Sequence, residues 1–314
     1  MTLPTNTTTS YSLVGIREDL KDFIANISPT DTPFTASVGT AEATNTYFEW
    51  QTDALAAPNT SNAQLEGDDL GALAVVATSR IGNRTQISTK GIIVSGTSEA
   101  VNKAGRTSEL AYQIRKRTLE LKRDVEAIIT QNQASATGSA SVARTTGSLE
   151  AWFVTNTSRG ASGANGGFAS GNVAAATDGT QRALTESFLK TIYQSVWTAG
   201  GNPTTLMVGA TQKQNVSTFT GNVTRMQEAT SKTLMTSIDV YESDFGAVKV
   251  VPNRFQRNRT AFLLQTDMWK LAYLRPYQIK DIAPTGDSMK KELIVEYGLM
   301  SMNEAASGVI ADLV

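Results

Sequence analysis

The sequence predicts an α+β protein, and three features carry that expectation. A polar, β-branched run, Asn83-Arg-Thr-Gln-Ile-Ser-Thr-Lys-Gly-Ile-Ile-Val-Ser-Gly-Thr97, feeds a charged helical pattern at 107–132. Helical and extended patterns then follow one another between 185 and 252, the order of elements expected around one sheet of an α+β lobe. The last third returns to strand-like runs, above all Lys291-Glu-Leu-Ile-Val-Glu-Tyr-Gly-Leu-Met300.

Composition narrows the chemistry. With 314 residues the chain is long enough for one large domain or two lobes with a real core. Its 28 basic and 29 acidic residues nearly cancel, whereas a free nucleic-acid binder normally shows a basic excess. Cysteine and histidine are both absent, so disulfides, thiolate or imidazole metal sites, and Ser-His-Asp or Cys-His catalysis cannot be built. The start, Met-Thr-Leu-Pro, lacks the basic and apolar regions of a signal peptide, and no apolar run is long enough to span a bilayer. The expectation is folding in a cytoplasm, without membrane contact. Sequons such as Asn59-Thr-Ser61 and Asn156-Thr-Ser158 are then by-products of an Asn/Thr-rich composition.

The first 35 residues read as an arm. A Thr-rich start leads into a short amphipathic helix at 16–27, with Ile16, Leu20, Phe23, Ile24 and Ile27 on one face, before Pro29 and Pro33 break it. Helical spacing does not separate docking on the chain's own core from docking on a neighbour.

Two strand-like segments follow, Tyr47-Phe-Glu-Trp-Gln51 and a β-branched run at 86–94, flanking a polar middle with Pro58 and Glu66-Gly-Asp-Asp69. That middle buries too little to fold alone, so a projecting hairpin is expected. Its carboxylates lack the spacing of a calcium loop, which favours a solvated loop over a metal site.

The helix from about Thr107 or Ser108 to Asn132 has an N-cap and an acidic Glu109 in its first turn. Leu110, Ile114, Leu121, Val125 and Ile128 form an apolar stripe, with Lys116/Glu120 and Lys122/Glu126 as four-residue pairs on the polar side. About 25 residues at ~1.5 Å rise make a rod of roughly 37 Å. The run Arg115-Lys-Arg117 reads as a solvated face, since acidic partners lie close along the helix.

Residues 134–182 are rich in Gly, Ala, Ser and Thr, which predicts a long flexible surface loop. Gly160, Gly163, Gly166 and Gly167 do not make a phosphate loop, for the Gly-x-x-x-x-Gly-Lys-Ser/Thr pattern is missing.

Thr185-Glu186 then opens a helix carrying Phe188, Leu189, Ile192, Tyr193 and Val196, closed by Gly200-Gly-Asn-Pro203. A strand at 204–208, a helix at 211–219 and a hairpin over 240–252 turning near Asp244 to Gly246 follow. Ala261-Phe-Leu-Leu264 and Trp269-Lys-Leu-Ala-Tyr-Leu-Arg-Pro276 precede the final strand. In that strand Glu292 and Glu296 lie on one face, and the spacing alone places no cleft between them.

Several motifs resemble one family in order: Ser28-Pro-Thr-Asp-Thr-Pro-Phe34, Thr46-Tyr-Phe-Glu-Trp-Gln-Thr-Asp-Ala-Leu55, Val94-Ser-Gly-Thr-Ser-Glu-Ala-Val-Asn-Lys-Ala-Gly-Arg106 and Glu120-Leu-Lys-Arg-Asp124. Val250-Val-Pro-Asn-Arg254, Tyr273-Leu-Arg-Pro276, Thr285-Gly-Asp-Ser288 and Glu296-Tyr-Gly-Leu-Met-Ser-Met-Asn-Glu304 continue it. Together they are similar to major capsid proteins of tailed bacteriophages with the Hong Kong 97-like fold.

The resemblance implies an N-terminal arm and the start of a peripheral domain over 1–44, and an extended loop over 45–96. It implies a spine helix and Gly/Ser-rich peripheral loop over 97–182, an axial domain over 183–250, and C-terminal peripheral strands over 251–314. It further implies a structural protein, not an enzyme, that self-assembles into pentamers and hexamers of an icosahedral shell around double-stranded DNA held by non-specific contact. Scaffold, portal and decoration proteins are the implied partners, a virion capsid assembled in the host bacterial cytoplasm the implied location. No catalytic, cofactor-binding or metal residue follows from it. The alternatives from other classes are a virion surface adhesin or decoration module, and a carboxylate-dependent hydrolase.

Overall fold

The computed structural model describes residues 28–67, 77–219 and 240–314. The expected arm helix at 16–27, together with Asp68 and Asp69 of the acidic run, lies outside the described residues.

The first lobe is a sheet with a long helix laid across it. Its four strands run in the order β1 (Gly39–Glu42), β12 (Trp269–Ile282), β13 (Ser288–Ser301) and β4 (Gln86–Ser95). β12 and β13 form a long antiparallel hairpin, to which β4 adds antiparallel and β1 parallel. The helix α3 (Glu109–Ile129) rests on this sheet through Leu121, Val125 and Ile129, which meet Ile92, Val94, Leu293 and Val295 in one core. Ser108 accepts the Ala111 N–H and caps the helix, as the sequence predicts. A second cap comes from outside: the Glu99 carboxylate, on the short α2 (Gly96–Ala100), accepts the N–H groups of Glu109 and Leu110.

The polar side of α3 needs one correction. Lys122 and Glu126 do not form a surface pair, because Glu126 is fully buried and faces the arm root, α1 (Pro33–Ser37). Glu120 bonds to Arg117, three residues away. The buried stripe ends on Ile129, with Ile128 only half-buried.

The expected hairpin is present, with a different return strand. β2 (Tyr47–Thr52) pairs antiparallel with β3 (Ser79–Arg84). The run at 86–94 is not its second arm, because past Thr85 it joins β13 in the main sheet as β4. Alternation explains the choice: Ile92 and Val94 have a core to fill, and Ile93 between them faces outward.

The stretch 134–182 corrects a second expectation, since it is packed rather than loose. It contains α4 (Leu149–Trp152) and the short strands β5 (Thr157–Ser158), β6 (Gly167–Ala169) and β7 (Asn172–Ala174). Leu149, Ala151, Trp152 and Phe153 are buried, and Trp152 sits between Trp50 and Phe168. Its glycines serve close approach rather than flexibility: a Cβ at Gly160 would lie 2.0 Å from the Thr180 carbonyl oxygen, and one at Gly166 2.2 Å from that of Ala174.

The second lobe holds α5 (Glu186–Thr198), α6 (Ala210–Ser217) and a six-stranded sheet. Its order is β5, β14 (Gly308–Ile310), β11 (Ala261–Leu264), β8 (Thr205–Val208), β10 (Gly246–Pro252) and β9 (Val240–Ser243). Both faces are buried at the central strands β8, β11 and β14, while β9 and β10 bury one face. Leu206, Val208, Leu263 and Ile310 join Leu189, Ile192, Tyr193 and Val196 of α5, while Met207, Phe262, Leu264 and Val309 point into the core beneath α4. β11 and β14 come from the 251–314 segment, so this sheet crosses the boundary at 250 drawn from the resemblance.

Candidate assembly surfaces and the carboxylates behind them

Four buried carboxylates fix the surfaces of the subunit. Glu126 accepts the N–H groups of Phe34 and Thr35, both at 2.8 Å, and the Asn253 side-chain amide at 2.7 Å. Burial pushes its carboxyl above the ordinary range, against the pull of those donors. One side chain of α3 thereby ties the arm root to Asn253, which follows β10 of the second lobe.

Glu296 is held by Arg144 and Arg275, the latter at 2.7 Å, and by the Thr85 hydroxyl at 2.9 Å. Glu292 lies opposite Lys280 on the neighbouring strand. Both oxygens of Glu296 are thus engaged by side chains of its own subunit.

Glu150 bonds to Arg159 and Arg257, each at 3.0 Å, and burial raises its carboxyl despite them. Asp312 accepts the N–H groups of Gly160 at 3.0 Å and Gly179 at 2.7 Å, and an Arg259 N–H at 2.9 Å. Burial alone would raise Asp312, but these donors outweigh it and hold it below the ordinary range. Of the four glycines at 160–167, Gly160 thus donates to the protein's own carboxylate and Gly163 lies close to it, while Gly166 and Gly167 pack elsewhere. Among the described residues no three Asp or Glu side chains are grouped to hold a metal ion, and no helix is long and apolar enough to cross a membrane.

Of these four carboxylates only Glu296 was weighed in the sequence, as one of a pair with Glu292. Their partners stand far away in the chain, Phe34 for Glu126 and Gly160 for Asp312, and a single sequence carries no signal for such pairs. Arg115 and Lys116, by contrast, are exposed as expected.

What remains is surface. Every described residue of the crest between β2 and β3, 53–67 and 77–78, is exposed, with Leu55 at 100% and Leu65 at 80%. β4 forms one edge of the main sheet and turns Ile87 and Ile93 outward. On the second lobe, exposed Trp197 packs against Phe245, which stacks on buried Tyr193.

Comparison with known proteins gives these surfaces a context. The chain is 28% identical over 338 residues to the major capsid protein of Escherichia phage Phieco32, covering 96% of this chain and 95% of that one. Its fold is similar to the cyanophage A-1(L) capsid subunit, with a TM-score of 0.64 at 14% identity over 99% of both chains. The capsid of a native GTA particle gives a TM-score of 0.64 at 11% identity, over 97% of this chain and 98% of that one. The hydrolase and adhesin alternatives have no such support. The model of the SU10 major capsid protein family matches residues 3–314, and this chain belongs to that family of phage shell subunits.

Proposed function

We propose that copies of this chain form the pentamers and hexamers of an icosahedral shell around double-stranded DNA, each subunit overlapping its neighbours through the β2–β3 crest and the N-terminal arm. The observation that carries the reading is the crest. Fifteen consecutive exposed residues, with two leucines bare to solvent, leave apolar area that a neighbouring copy would cover. Closed symmetry multiplies such modest contacts around every subunit.

The neutral charge balance suits a wall that meets DNA without gripping it. Scaffold, portal and decoration proteins are the further partners of this reading, and the host cytoplasm is where the subunits fold. Phage G supplies one precedent, its capsid being described with decoration proteins.

Electron microscopy of the purified chain tests the proposal. Closed particles with fivefold vertices are expected, and a solution of monomers or open fibres alone would overturn it. Limited proteolysis adds residue-level detail: free subunits should be cut first at 56–80 and in the arm, and assembled particles should resist there. Identical cut sites and rates in both forms would remove the clasping mechanism.

A further inference from the structure

We infer that Asn165 is a modification site held shut by the fold: its side-chain amide reacts with the next backbone nitrogen, and so deamidates, when the packed stretch around it opens.

Asn165-Gly166 is the one Asn-Gly dipeptide in the sequence. Glycine has no Cβ to shield its nitrogen, so in an open chain the Gly166 nitrogen can attack the Asn165 Cγ. An N–Cγ bond forms and the Cγ–Nδ2 bond breaks. Nδ2 leaves as ammonia, taking the proton that the Gly166 nitrogen gives up. Water then opens the five-membered imide at either carbonyl. One product is aspartate at 165; the other is isoaspartate, whose main chain runs through the former side-chain carbon and is one carbon longer.

The fold restrains both reacting groups. Arg159 Nε donates to the Asn165 Oδ1 at 2.8 Å, and the Asn165 Nδ2 donates to the Val154 carbonyl at 2.8 Å. Arg159 is itself fixed, its side chain 5% exposed and bonded to Glu150 at 3.0 Å. On the backbone side, Ala164 and Thr177 exchange N–H to carbonyl bonds of 3.1 and 2.9 Å. A Cβ at Gly166 would lie 2.2 Å from the Ala174 carbonyl oxygen and 2.6 Å from that of Ala151, so this backbone is wedged between two others. Closing the ring means turning the 165–166 peptide where nothing can yield. Asn165 is exposed, but the attacking group is its own neighbour, and exposure does not free it. Asp178-Gly179, across the same bridge, is tied likewise: Arg257 and Arg259 hold the carboxylate, and the Gly179 N–H donates to Asp312 at 2.7 Å.

The products fit the closed site worse than asparagine does. Aspartate sets an oxygen against the Val154 carbonyl in place of an N–H, and isoaspartate adds a backbone carbon where Gly166 has no room. A subunit that has opened and reacted is therefore weaker once it closes.

The full chain is held in mildly alkaline buffer with and without denaturing guanidinium chloride. Trypsin then releases 160–182, between Arg159 and Arg182, and mass spectrometry locates the exchange of amide for acid. Asn165 should convert about tenfold or more slowly in the folded chain. Asn172, shielded by the branched Val173 that follows it, is the control within the same peptide and should stay unchanged in both. Equal rates at Asn165, or a faster rate in the folded chain, overturn the protection. A partly converted sample is next brought to its denaturation midpoint and given a brief protease pulse, which removes open chains. Survivors should carry the converted residue about threefold or more less often than the whole sample. An equal share in both overturns the weakening of the closed site.

Discussion

Glu126, in the last turn of the long helix, accepts the backbone N–H of Phe34 at 2.8 Å, so the arm root is fixed to the subunit by a buried carboxylate. Thr35 and Asn253 complete the junction, and none of the three donors is a cation. Arm root, spine helix and second lobe therefore meet on one side chain.

The first prediction follows from that junction. Glu126→Gln offers one acceptor oxygen to three N–H donors and turns its own N–H toward one of them, so stability at neutral pH should fall by about 1–3 kcal/mol. The pH dependence has a definite sign. Burial raises the folded-state value above the unfolded one, so this carboxyl's contribution is full below the unfolded value and is lost as pH rises through the folded one. The gap between native chain and variant should widen on acidification. Urea melts at several pH values measure it, and a narrowing gap would mean that the three donors outweigh burial.

Asp312 should behave in the opposite sense. Its φ of 59° is one that Asp and Asn tolerate, so Asp312→Asn tests the charge without straining the backbone. The loss at neutral pH should be about 1–3 kcal/mol, because Gly160, Gly179 and Arg259 all donate to the carboxylate. The folded-state value is depressed, so this contribution is present above the unfolded value and disappears as pH falls through the folded one. Native chain and variant should converge in acid. A constant gap across pH would assign the effect to packing.

These two residues mark where the sequence stops being legible. Period and capping found α3 and α5, because Ser108, Leu121, Leu189 and Val196 are local signals. They also located β8, whose apolar residues fill two faces, and the hairpin of β9 with β10, whose apolar residues fill one. Composition failed at 134–182, since glycine reads the same whether it loosens a chain or lets two backbones touch. Pairing failed at 86–94, where β4 chose β13, some two hundred residues away, over β2. Glu126 looked like half of a surface pair because helical spacing records which face a residue is on and not what arrives there from elsewhere.

The buried face of α3 gives the third prediction. Leu121 is fully buried, while Lys122 is exposed and its expected partner Glu126 faces inward. Leu121→Asp should cost at least about 4 kcal/mol through an unpaired buried carboxylate, and Lys122→Ala less than about 0.5 kcal/mol. Thermal melts of the two variants compare them directly. Similar losses would show that the helix is rotated from the described packing.

Glycine supplies the last prediction, through two positions that differ only in their surroundings. At Gly160 an ideal Cβ falls 2.0 Å from the Thr180 carbonyl oxygen and 3.2 Å from the Asp312 Cβ. Both neighbours are held, Asp312 by its three donors and Thr180 by its N–H bond to the Ala161 carbonyl. Gly160→Ala must therefore push backbone apart and should destabilise by about 1–3 kcal/mol. At Gly91 the same methyl meets nothing, so Gly91→Ala in the free subunit should be neutral, or stabilising by up to about 1 kcal/mol through the narrower unfolded ensemble. Chemical denaturation of both variants reads the difference. If Gly160→Ala were as stable as Gly91→Ala, the glycine-rich stretch would be the yielding loop its composition suggests, and its close backbone contacts would have no energetic role.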